Sequence, residues 1–146
     1  MSKIDAFETD ILELVFLNTD LAAIGDATGL QGSTAAGSFY IALLTGTPTD
    51  SGGMSLEADY TGYARQAVAR GGAQWSVTGG VASNDNVITF AECTGGSNTI
   101  TYFAICKADV EGVEDAIYYG ALAASRVVSS GITPSFAAGA ITVTEG

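Results

Sequence analysis

From Ser38 onward, short runs of strand-forming residues recur at intervals of roughly ten residues, each closed by a turn signal. No other feature limits the fold as much. Strands this close together leave no room for crossover helices, so they must pair mainly antiparallel. The run SFYIALLTG (Ser38–Gly46) is apolar almost throughout and predicts a strand covered on both faces. After the turn-rich TPTDSGG, the segment GYARQAVAR (Gly62–Arg70) is the next candidate. AQWSVTGGVAS holds two short pieces about Gly79–Gly80, a hairpin signal. NVITFAEC and NTITYFAICKA are expected to pair about the TGGSN turn (Thr94–Asn98), with Ile88 and Phe90 sharing an apolar face with Tyr102 and Ala104. AIYYGALAASRVV and GAITVTE supply the last strands, separated by SSGITPSFAAG. A single sheet would leave one apolar face bare, so two packed sheets or a closed barrel are expected. The predicted class is mainly β, an antiparallel β-sandwich, jelly-roll-like, immunoglobulin-like or of another sandwich topology, preceded by a short N-terminal α-helix.

The helix is read from MSKIDAFETDILELVF, where Ile4, Phe7, Ile11 and Leu14 or Val15 follow the spacing of one helical face. Ser2 is the N-cap candidate, acids crowd the end that the helix dipole favours, and Asn18 is the expected stop. So apolar a helix must dock, either on its own domain or on a neighbouring subunit. GDATGLQGSTAAG (Gly25–Gly37) sustains neither helix nor strand. It lacks the strand-then-helix frame and the following lysine of a phosphate-binding loop. The expected organisation is one structural domain: helix 1–18, Gly-rich loop 19–37 and β-sandwich 38–146. A chain of 146 residues can bury roughly 70% of its unfolded surface, enough for a core without staples.

Charge narrows the partners. Sixteen carboxylates against five basic residues give a net charge of −11. Nucleic-acid binding needs the opposite surplus, whereas strong negative charge keeps a protein soluble until it meets an assembly. No apolar run is long enough for a membrane helix, and the acids among the first apolar residues argue against a signal peptide, so synthesis in the cytosol is expected. Histidine is absent, and the predicted hairpin would put Cys106 opposite Asn86 rather than Cys93, leaving two free, half-buried thiols and no zinc ligand set. Neither a Ser-x-x-Lys nor a Gly-x-Ser-x-Gly elbow occurs, so no catalytic residue, cofactor or metal site is assigned and no enzyme is expected. Two acid clusters, Asp50, Glu57 and Asp59, then Asp109, Glu111, Glu114 and Asp115, read as solvated surface. ADVEGVED lacks the alternating spacing of an EF-hand and is at best a weak calcium loop. Tyr40, Tyr60, Tyr63, Trp75, Tyr102, Tyr118 and Tyr119 could form a sugar platform but equally serve as core or interface anchors.

Five segments in order, YIALLTGTPTD, GYARQAV, NVITFAEC, ITYFAICKADVEG and IYYGALAASRVVSSGITPSFAAGAITVTE, resemble a group of small tailed-bacteriophage virion proteins that carry a Tyr-Ala-Arg-Gln segment. The group is labelled as capsid cement or decoration proteins, or as tail-fibre-like proteins. The resemblance covers about Phe39 to Thr144 together with the helix. It implies a non-enzymatic structural protein of the virion, a capsid surface location first and a tail location as the alternative. It further implies the major capsid protein or tail proteins as partner, and a homo-oligomer, dimer or trimer. Nucleic acid and membrane are not expected partners, and a carbohydrate-binding module is the third reading. Candidate interface residues are Phe7 and Ile11 on the helix, and Tyr63, Arg65 and Arg70 in TGYARQAVAR. On a regular strand Arg65 and Arg70 would point to opposite faces. Either could pair bidentately with a carboxylate of a neighbouring subunit, or with one of this chain's own sixteen acids.

Overall fold

The structure, a computed structural model, describes residues 2–48, 56–110 and 115–146. The fold class is mainly β and sandwich-like, with antiparallel sheets after one short N-terminal helix. Two compact units share the chain: Met1–Ser38, Ala69–Val87 and Phe136–Gly146 form the first, Phe39–Val68 and Ile88–Ser135 the second.

In the first unit, helix α1 runs Asp5–Leu12 and continues into a π-helical turn, Glu13–Leu17. Strands β3 (Trp75–Thr78), β4 (Val81–Asn84) and β9 (Thr142–Thr144) make a sheet in the order β3-β4-β9. β3 and β4 pair Thr78 with Val81 across Gly79–Gly80, the hairpin that the two glycines announce. Asn18 ends the helical segment in the left-handed conformation, as expected of a C-terminal asparagine. Ser2 is not the cap: the N-cap is Ile4, whose carbonyl accepts Phe7 N–H and Glu8 N–H, while the Ser2 hydroxyl donates to Lys3 O. The apolar face is also rotated from the expected one. Leu12 and Phe16 are the fully buried helical residues, Phe7 and Ile11 are half-buried, and Ile4 is 70% exposed. Leu12 closes the α-helix, and Phe16, inside the π turn, packs on Trp75 with ring centroids 4.8 Å apart.

The Gly-rich stretch from residue 19 to 37 forms no strand or helix, but its backbone is fixed by an isolated bridge, Leu21↔Leu30. Between them Asp26 Oδ1 accepts Thr28 N–H, Thr28 Oγ1–H and Gly29 N–H, an Asx-type turn. Those bonds hold the Asp26 carboxyl below the usual carboxylate range, the Thr28 hydroxyl contributing most. Gly29 has φ +65, and a Cβ there would run into the Leu21 carbonyl oxygen.

The second unit is built on a four-stranded antiparallel sheet, ordered β2-β1-β6-β7, from β1 (Ser38–Leu44), β2 (Gln66–Ala69), β6 (Ser97–Cys106) and β7 (Ala116–Ser129). β1 is buried over Ile41–Leu44 on both faces, as its unbroken apolar run requires. β5 (Ile88–Thr89) pairs with β8 (Ser135–Phe136). The hairpin expected between residues 86–93 and 98–108 does not form. β6 pairs instead with β1, Ala42 opposite Ala104, and with β7, Ala104 opposite Tyr119. Phe90 N–H and Cys93 N–H donate to Pro134 O and Ile132 O. The reason lies in burial: Phe103, Ala104, Ile105 and Cys106 are all buried, so β6 needs covered neighbours on both edges and both faces. The predicted strand through 62–70 is also shorter, because only Gln66–Ala69 pairs and the two arginines flank it.

Candidate functional site

Arg65 enters β2 from its N-terminal side and turns inward, with its side chain 2% exposed. A guanidinium so placed must spend its N–H groups on acceptors, since burying an unpaired charge is prohibitive. Nε and Nη2 donate to the two oxygens of Glu57, at 2.9 and 2.8 Å, in a bidentate pair. Nη1 donates to Ala108 O at 2.8 Å, to Val110 O at 3.1 Å, and to Asp115 Oδ2 in a buried ion pair. Asp115 Oδ1 accepts the backbone N–H groups of Lys107 and Ala108, and Lys107 N–H also donates to Asp115 O. The Tyr63 hydroxyl donates to Glu57 Oε1 at 2.6 Å and accepts Leu43 N–H from the central strand β1. Tyr63 also meets Tyr60 edge-on at 5.4 Å and stacks on Phe90 at 6.3 Å.

Burial alone would weaken the Arg65 charge, yet the bonds from Glu57 and Asp115 outweigh it and hold the guanidinium protonated more firmly than usual. Burial pushes the Tyr63 phenol far above its ordinary range, and the Glu57 carboxylate adds to that. Glu57 and Asp115 are therefore not surface acids, contrary to the reading of both clusters as solvated. Asp50, Glu111 and Glu114 lie outside the described residues, as does half of the ADVEGVED loop. Among the described residues no group of three or more potential metal ligands occurs. Each carboxylate accepts three donors, an arrangement that suits clamping the segments around residues 57, 65, 108 and 115 together.

Arg70 plays a comparable part in the first unit. Nη2 and Nε donate to Leu14 O and Val15 O at 2.7 Å each, Nη1 to Ala36 O and to Ser33 Oγ, and the following Gly71 N–H donates to Phe16 O. Three successive carbonyls at the end of the helical segment thus receive donors from one dipeptide, where a cation also suits the helix dipole. Burial lowers the Arg70 guanidinium somewhat from its ordinary value. Asn18 completes the junction, its side chain bonding both the N–H and the C=O of Ser33.

The five candidate residues are divided between the two units. Phe7, Ile11 and Arg70 belong to the first unit, Tyr63 and Arg65 to the second. The partners that sequence reasoning left unassigned are the carbonyls of Leu14, Val15, Ala108 and Val110, which carry no residue-type signal. Asn84 was missed altogether. It is 1% exposed, and its side chain holds Asn86 O, Ala137 O and Ile141 N–H together.

The sequence model of one family, described as Podophage GP4 fiber I protein gp80, matches residues 6–144. The chain belongs to that family. No curated protein matches it. Membership of the fiber I family makes this a virion-associated structural protein of the phage tail-fibre-like kind. It agrees with the fibre-like side of the resemblance and lends no support to the cement and decoration side. No described helix is long and apolar enough to cross a membrane.

The two cysteines of this fiber I family member are free and fully buried rather than half-buried. Cys93 Sγ–H lies 3.3 Å from Gly95 O. The Cys106 thiol is pushed up from 9.0 to about 12, chiefly by burial, with Arg65 opposing and Asp115 adding to the rise. The folded state therefore favours the protonated thiol. Its contribution is complete below pH 9 and is lost as pH climbs from about 9 to about 12, a penalty of at most about 4 kcal/mol. Denaturant midpoints measured across that range should fall steeply, and Cys106→Ala should flatten the fall; equal slopes in both proteins would refute the assignment. Tyr60 and Tyr63, both raised by burial, add a decline in the same direction above pH 10.

Proposed function

We propose that the protein is a non-enzymatic component of a phage tail fibre or its attachment point, and that it works by holding other tail proteins. The observation that carries this reading is the fiber I family match across residues 6–144, nearly the whole chain. The local chemistry supports it. The two arginines that might have formed a binding patch are consumed internally, Arg65 on Glu57 and Asp115, Arg70 on backbone carbonyls. Over the whole chain carboxylates outnumber basic residues sixteen to five, which suits protein partners better than nucleic acid.

Capsid cement rests on the sequence resemblance alone, and copy number separates the two. Quantitative band analysis of purified virions, with this protein identified by mass spectrometry, should give the few copies per particle that a tail structure holds. A number on the scale of the capsomers would overturn the fibre reading and restore the cement one.

A further inference from the structure

We draw no further inference here: the strongest candidate, the face of the four-stranded sheet that Tyr40, Tyr102 and Tyr119 share with Ala42 and Ala104, carries nothing, because nothing in the structure shows what covers it.

Discussion

Replacing Arg65 with methionine should destabilise the protein by about 3–5 kcal/mol, although the substitution keeps most of the side chain's apolar bulk. The loss does not measure what the ion pairs contribute. It measures what is left behind: Asp115 is 4% exposed, the Glu57 side chain 12%, and both would keep a charge with no cation beside it. Ala108 O and Val110 O would lose their donor at the same time. Arg65→Lys should recover little, because one ammonium cannot span two carboxylates and two carbonyls that the planar fork reaches together. The triple variant Arg65→Met, Glu57→Gln, Asp115→Asn should be more stable than Arg65→Met alone, since the stranded charges are gone. Hydrogen exchange at the β1 and β6 amides reads the second unit directly. A loss below 1 kcal/mol on this scale for Arg65→Met, or a triple variant weaker than the single one, would show that the carboxylates find solvent when the arginine leaves.

That arginine also shows how far the sequence could be read. Its charge stood out among five basic residues, and an intramolecular carboxylate was one of two open outcomes. Which carboxylate was not legible. Glu57 is 8 residues away and Asp115 is 50, and nothing in the residue types ranks them above the other fourteen acids. The local features were legible for a physical reason. Gly79–Gly80 and Asn18 act through their own backbone conformation, so the hairpin β3–β4 and the helix stop follow from neighbours alone.

The β6 pairing failed for the complementary reason. Alternating apolar residues say which face of a strand is buried but not which strand lies beside it. Closing a longer loop costs only slightly more entropy than closing a short one, so the TGGSN turn held no decisive advantage over pairing β6 with β1 and β7. The place of β7 at the margin of its sheet was equally hidden, because AIYYGALAASRVV reads the same in the middle of a sheet as at its margin.

Asn84→Ala is expected to cost about 3 kcal/mol or more, at a position that looks unremarkable in VASNDN. The side chain sits at the end of β4, fully enclosed, and three backbone groups depend on it. Its Oδ1 accepts Ile141 N–H at 2.8 Å, and Nδ2 donates to Asn86 O and Ala137 O at 2.8 and 2.9 Å. Only one orientation of the amide satisfies an N–H and two carbonyls, so the network fixes it. Asn84 main-chain bonds, to Ile141 O and from Gly139 N–H, bring residues 137–141 alongside, and the side chain locks them there. Asn84→Asp separates the roles: it keeps an acceptor for Ile141 N–H but turns a carboxylate toward two carbonyl oxygens, so it should be no better than alanine. Trp75, the only tryptophan, lies in the same unit and reports its unfolding by fluorescence. Both variants should shift the Trp75 transition to lower denaturant. If Asn84→Asp is instead as stable as the parent, the two carbonyls must find other donors, and the network is not what holds residues 137–141 to β4.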